Sequence, residues 1–232
     1  MIDNLGVVIP IYNEENIIED VIFEWNDYLI KQDIKFEFII INDGSTDNSK
    51  EKILEISKKI NNIILLDKKN SGHGPSCIYG YKHCINLNKY DWVLQIDSDF
   101  QCDPIYFSSF LEKNKNYKAV FGNRKKRLDG GLRILISNIL IISILILKFK
   151  FIRDPNVPYR LMHISILKRA LKSFPPNIFL SNVFISLRIS NLCDIKWINI
   201  IFRDRKYGSS KTNLVKMLFK YFEFIKNLLS FN

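Results

Sequence analysis

The chain is predicted to be an α/β protein, with a mainly parallel sheet covered by helices on both faces and interfacial helices in the second half. Three observations carry this. Up to about residue 122, short runs of Ile, Val and Phe alternate with amphipathic segments of helical period, the pattern of successive βα units. The 232 residues are 47% hydrophobic and 25% charged, a globular composition long enough to bury a full core. The charge is also divided. Residues 1–112 hold 10 Lys/Arg and 19 Asp/Glu, net −9, whereas residues 113–232 hold 24 and 5, net +19.

Each element has its own signal. Leu5–Ile11 reads as a buried strand, closed by Pro10 and the polar group Tyr12-Asn13-Glu14-Glu15. Ile17 to Leu29 reads as a helix, because Ile17, Ile18, Val21, Ile22, Trp25 and Leu29 share one face. Phe36–Ile41 is a second strand, ended by Asn42-Asp43-Gly44-Ser45-Thr46-Asp47, where Thr46 or Asp47 can cap the following helix. Asn62–Leu66 is a third strand. Asn70-Ser71-Gly72-His73-Gly74-Pro75 then leads into a helix reaching about Ile85. Its glycines permit close backbone approach and its helix start offers N–H groups to an anion, although a plain turn explains the same residues equally well. Tyr90–Ile96 and Lys118–Phe121 are further strands.

The fourth strand runs into Asp97-Ser98-Asp99-Phe100-Gln101. In an extended segment residues two apart point the same way, so Asp97, Asp99 and Gln101 would present three hard oxygen ligands together. Such a set suits Mg²⁺ or Mn²⁺ carrying a phosphate. The carboxyl end of a strand is also where an open α/β sheet holds its ligand. A solvated Asp-Ser-Asp turn capping the next helix accounts for the same residues.

Past residue 121 the character changes. Gly122-Asn123-Arg124-Lys125-Lys126-Arg127 with Gly130-Gly131 form a basic connection, and Ile134 to Leu147 holds no charge. Those 14 residues make about 21 Å of helix against a hydrocarbon core of about 30 Å. The run is short for a span and fits a core helix or one lying on lipid, with Arg133 and Ser137 sharing a face at its start. From Asn213 to Phe231, Lys216, Lys220, Glu223, Asn227 and Ser230 form a charged stripe on an otherwise apolar helix. This suits an in-plane amphipathic helix over 212–232, and docking on its own domain or on a partner would look the same. Apolar-plus-basic composition favours a membrane surface as anionic partner over nucleic acid. Cys77, Cys84, Cys102 and Cys193 show no metal or redox spacing and read as reduced thiols, and His73, His83 and His163 are unclustered, so zinc is not expected. Asp3 and Asn4 stand where a signal peptide would be basic, so none is expected.

Taken in order, Val7-Val8-Ile9-Pro10-Ile11-Tyr12-Asn13-Glu14-Glu15, Ile40-Ile41-Asn42-Asp43-Gly44-Ser45-Thr46-Asp47 and Asp97-Ser98-Asp99 resemble the inverting family-two nucleotide-sugar glycosyltransferases, whose fold is GT-A, a Rossmann-like sheet. Asp97-Ser98-Asp99-Phe100-Gln101 with Pro104, Gly122-Asn123-Arg124, Gly130-Gly131, Arg133, Ser137, Asp154, Tyr159-Arg160, Arg205, Gly208, Ser210 and Lys211 are most similar to the polyprenyl-phosphate branch, typified by dolichyl-phosphate mannosyltransferase. The resemblance implies one GT-A domain over 1–211, with a nucleotide-sugar half (1–122) and an acceptor half (123–211). It implies a nucleotide-sugar site formed by Pro10, Tyr12, Glu14, Asp43, Asp97, Ser98 and Lys211, where carboxylates suit the N–H edges of a uracil or guanine ring. Asp97, Asp99 and Gln101 would hold Mg²⁺ or Mn²⁺ on the diphosphate, with Asp97, Asp99, Arg124 and Arg205 as the catalytic set. Arg133, Ser137 and Arg160 would take the acceptor phosphate.

Asn42 departs from the pattern, since a second Asp is common there. No multi-span region follows residue 211, so the resemblance implies docking at the cytoplasmic face of a membrane by its own helices or through a separate membrane subunit. Relatives that glycosylate a hydroxyl use an acidic base after the Arg160-type motif, yet Leu161 to Leu192 contains no Asp or Glu. A phosphate acceptor is already an anion and needs no base. The expected reaction is therefore inverting sugar transfer to a polyprenyl phosphate. Transfer to a glycan hydroxyl with Asp154 or Asp194 as base, or a catalytically silent membrane-docked module, are the alternatives.

Overall fold

In the computed structural model, residues 2–126, 131–176, 178–204 and 214–231 are described, with only the backbone given for residues 126, 131–136 and 214–219. Strand β1 (Asn4–Ile11) is buried from Leu5 onward and lies between β2 (Lys35–Asn42) and β4 (Trp92–Gln95), pairing parallel with both. Between β1 and β2 runs α1 (Ile18–Ile30), whose apolar stripe is buried as its period predicts. Helix α2 (Ser49–Ile56) leads to β3 (Ile63–Asp67), parallel to β2. Helix α3 (His73–Leu87) returns to β4. It lies close to the sheet because Gly80 has no side chain: a Cβ there would stand 2.7 Å from Ile41 Cδ1 and Val8 Cγ1.

After β4, a 3₁₀ turn (Pro104–Tyr106) opens α4 (Phe107–Lys113), and β5 (Ala119–Lys126) follows. The second half contains α5 (Gly131–Lys148), β6 (Arg160–His163), α6 (Ile164–Ala170), α7 (Ser181–Leu192), β7 (Ile195–Ile201) and α8 (Leu214–Ser230). The sheet order is β3-β2-β1-β4-β6-β5-β7. Only β6 runs against its neighbours, antiparallel to β4 and β5, while β5 and β7 are parallel. The other six strands therefore deliver their carboxyl ends to one edge.

Helix α8, expected as an amphipathic segment over 212–232, docks on the domain: Phe224, Leu228 and Phe231 are buried, and Phe184 of α7 packs on both phenyl rings. It also meets α5, where Ser143 Oγ lies 2.9 Å from Tyr221 OH. Helix α5 buries Leu140 and Ile144 and exposes Ile139, Ile142, Leu145 and Ile146. Among the described residues no helix is long and apolar enough to cross a membrane.

Candidate active site

The first two strand ends are locked to each other. Asn13, in left-handed conformation (φ +57°), receives a bond from Thr46 N–H to its Oδ1 at 2.8 Å and donates its own N–H to Ser45 Oγ at 3.1 Å. Asp47 accepts the N–H groups of Glu15 and Ser49. The N-cap of α2 is Asn48, not Thr46 or Asp47 as expected, and Asp47 meets the first helical N–H from one residue earlier while tying down the first loop. Burial opposes ionisation of Asp47, but the Ser49 and Glu15 bonds outweigh it and hold its pKa below the ordinary carboxylate value. Pro10 is buried at the end of β1, Glu14 is half-buried and Tyr12 is 47% exposed, open to a ligand. Asp43, expected to reach a base or ribose, is turned inward instead. It is buried and accepts the N–H groups of Ser71 (2.9 Å) and Gly72 (2.8 Å) as well as the Lys68 ammonium. Its anchoring of the 68–72 loop satisfies three donors that would otherwise compete for a ligand.

The acidic loop after β4 departs from the extended geometry expected of it. The strand ends at Gln95, one residue early, and Phe100 takes a left-handed φ of +65° in a bend. Asp99 accepts the N–H of Gln101 at 3.2 Å. Gln101 donates its Nε2 to Arg203 O at 3.0 Å, which directs its amide oxygen the other way. Asp97, Asp99 and Gln101 still line one cavity, brought together by the bend and not by the pleat, while Ser98 is buried.

Arg203, which sequence reasoning missed, staples this loop. It donates to Asp103 (3.0 Å) and Glu24 (2.8 Å) and lies over the Phe100 ring at 4.9 Å. Burial opposes its charge, and the two carboxylates raise its pKa above the ordinary guanidinium value. His73, expected to be unclustered, sets Nε2 2.7 Å from Asp97 Oδ1. Desolvation at the cavity wall works against its charge, but the Cys77 sulfur and the Asp97 carboxylate lift its pKa well above the imidazole norm.

The cavity is about 570 Å³, and its walls also carry Arg124 from β5 and Lys220 and Glu223 from α8. Two carboxylates and an amide oxygen on one wall form a hard donor set that fits Mg²⁺ or Mn²⁺. Among the described residues no cluster of three His, Cys, Asp or Glu forms a metal cage, so water or ligand oxygens would complete the shell.

Arg124 is gripped by Asp154 through two bonds of 2.7 Å. Arg124 also lines a smaller cavity of about 180 Å³, together with Lys125, Arg153, Asp154 and Ser137 among others. A bulge in the β5–β7 pairing between Arg124 and Lys126 turns the extra residue, Lys125, towards it. Ser137 thus reaches the basic pocket expected for an acceptor phosphate. The Arg133 side chain and the whole of Arg205 and Lys211 lie outside the described residues.

Arg160 does not join that pocket. It is fully buried, and its guanidinium donates to the backbone oxygens of Val157 (2.5 Å), Asn182 (2.8 Å) and Pro155 (2.7 Å). Its neighbours leave it no path to a ligand phosphate, so its place is structural. Asp154 is committed to Arg124. Asp194 is exposed just before β7, roughly 20 Å from the site by strand rise, and cannot serve as a base there. A second open groove of about 580 Å³, lined by Asn4, Glu37, Lys59, Lys89 and Tyr90 among others, lies at the opposite edge of the sheet.

Comparison with known proteins matches this architecture. The family model described as glycosyl transferase family 2 matches residues 6–173. An uncharacterized protein of Methanocaldococcus jannaschii is 30% identical over 171 residues, covering 69% of this chain and 72% of its own length. The undecaprenyl-phosphate 4-deoxy-4-formamido-L-arabinose transferase of Pectobacterium atrosepticum is 26% identical over 223 residues, 94% of this chain and 65% of that protein. In structure, the Mycobacterium tuberculosis glucosyl-3-phosphoglycerate synthase solved with Mn²⁺, uridine diphosphate and phosphoglyceric acid superposes with a TM-score of 0.69 at 15% identity, covering 97% of this chain and 78% of that one. The matched region holds β1 through α6 and with them the acidic loop and the Arg124 pocket, so the chain belongs to glycosyl transferase family 2 and is a nucleotide-sugar glycosyltransferase of GT-A fold.

Proposed function

We propose that the chain moves a sugar from a nucleoside-diphosphate donor to a polyprenyl phosphate at a membrane surface, with inversion at the anomeric carbon. The observation that carries this is the pair of cavities sharing Arg124, one acidic and one basic. Asp97, Asp99 and Gln101 would hold a divalent cation, which when bound supplies positive charge to the departing diphosphate. Tyr12 and Glu14 beside Pro10 would meet the base or ribose, and Ser98 and the Asp43-held turn would act through the backbone they fix. Arg205 and Lys211 are proposed to add charge around the diphosphate.

Lys125, Arg153 and Ser137, with Arg133, would hold the acceptor phosphate next to Arg124, whose fork is fixed by Asp154. A phosphate oxygen attacks the anomeric carbon on the face away from the diphosphate. The new carbon–oxygen bond forms as the old one breaks, and the electron pair leaves with the nucleoside diphosphate. No proton is taken from the acceptor.

Membrane docking at the cytoplasmic face is part of the same reading. Ile142, Leu145 and Ile146 of α5, followed by Phe149 and Phe151, are exposed beside Lys148, Lys150 and Arg153, the apolar-plus-basic pattern of a peripheral lipid contact. The undecaprenyl-phosphate transferase relative supports a lipid-phosphate acceptor. One observation favours a second reading. Glu223 lines the main cavity, so a carboxylate from α8 stands where a base for a hydroxyl acceptor could act.

The test is to incubate the protein with Mn²⁺, a nucleotide-sugar panel and a polyprenyl phosphate in anionic vesicles, and to search by mass for a lipid-phosphate-sugar. Transfer is expected, with Asp97→Ala and Asp99→Ala each losing about a hundredfold or more, and with protein floating alongside the vesicles. Transfer only to soluble oligosaccharides, abolished by Glu223→Gln, would establish the second reading instead.

A further inference from the structure

His73 enters the site through an unusually fixed turn. Asp43 holds the N–H groups of Ser71 and Gly72. Gly72 takes a φ of +95°, where a side chain would be strained. A Cβ on Gly74 would stand 2.5 Å from Ser181 Oγ, so the next residue is packed against α7. One helical turn on, Cys77 is buried with its sulfur 3.8 Å from the imidazole. The ring emerges from this support at the cavity wall, half exposed, with Nε2 2.7 Å from Asp97 Oδ1. A side chain anchored this firmly restrains whatever it touches.

We infer that His73 is a positioning residue for Asp97: its Nε2–H donates to Oδ1 and restrains the carboxylate at the wall of the cavity where the cation would sit. The inference rests on the proposed reading of Asp97 as a cation ligand. A free aspartate side chain samples several rotamers and loses that freedom on ligation. A hydrogen bond to one oxygen restricts the carboxylate to few rotamers beforehand, as outer partners of metal ligands generally do. Both the neutral Nε2–H tautomer and the imidazolium present the required donor. Glutamine carries an N–H donor at similar reach, asparagine falls short, and leucine has none.

The decisive measurement is Mn²⁺ binding, followed by the electron paramagnetic resonance of the free ion and by the metal-induced rise in melting temperature, neither of which needs turnover. Wild-type protein should bind and Asp97→Ala should not. His73→Leu should weaken binding about 10- to 100-fold, and His73→Gln should recover most of that loss. If His73→Leu fails to fold, His73→Asn should show the same weakening. Binding by His73→Leu or His73→Asn equal to or tighter than wild type overturns the positioning role alone. Absence of Mn²⁺ binding in wild type, or binding that survives Asp97→Ala, overturns the cation reading and this inference with it.

Discussion

Arg124 and Arg160 stand on neighbouring strands and meet opposite environments. Arg124 pairs with Asp154 and borders two cavities. Arg160 lies under the sheet against Phe121, at 4.9 Å, with burial pulling its pKa down to about 10, still above neutrality. Arg160→Leu should cost about 3 kcal/mol, because it strips a charged donor from carbonyls that lie away from water. Urea unfolding measures this, and the folded variant should keep its affinity for the phosphate acceptor. Unchanged stability with a raised acceptor KM would return Arg160 to the ligand site. At this scale the grouping of Asp97, Asp99 and Gln101 was legible in sequence, although a bend at Phe100 and not the expected extended alternation brings them to one cavity. His73, Arg203 and Glu223 were not, because the groups they serve lie far off in the chain: Asp97 from His73, Gln101 from Arg203, and the cavity of the first half from Glu223.

Among the elements, β1 to β4 and α1 were read to within about two residues because each has a clean period or an unbroken apolar run. Strand β6 was not, since Arg-Leu-Met-His is four residues long and its direction is set by pairing with β4 and β5. Helix α7 escaped for a different reason. Buried from Ser181 through Leu187, it takes Ser181, Asn182 and Ser186 into the core with its apolar residues, so polarity does not sort by helical period. The closeness of α3 to β1 and β2 is a further tertiary fact, marked in sequence only by Gly80. Gly80→Ala drives a methyl into Ile41 and Val8 and should destabilise by about 1–3 kcal/mol, a fall of several degrees in melting temperature by calorimetry. A neutral or stabilised variant would mean that α3 can lift from the sheet without cost.

Across the whole molecule, the acidic first half supplies Asp97 and Asp99 to the larger cavity, while the basic second half adds Arg124 and Lys220 to it and lines the smaller one. The acidic loop after β4 faces the larger one, and Arg124, Lys125 and Arg153 face the smaller. Because Arg124 borders both, a single guanidinium is shared by two anionic occupants on the proposed reading. Two anions competing for the donors of one guanidinium oppose each other, and thermodynamic reciprocity makes the factor the same in both directions. Isothermal titration should find nucleotide affinity reduced when phosphate acceptor is present, with the antagonism removed in Arg124→Met. Equal nucleotide affinity with and without acceptor would mean that the two compartments are electrostatically independent. The shared arginine thereby makes the doubly loaded state the least comfortable one, and departure of the nucleotide relieves it.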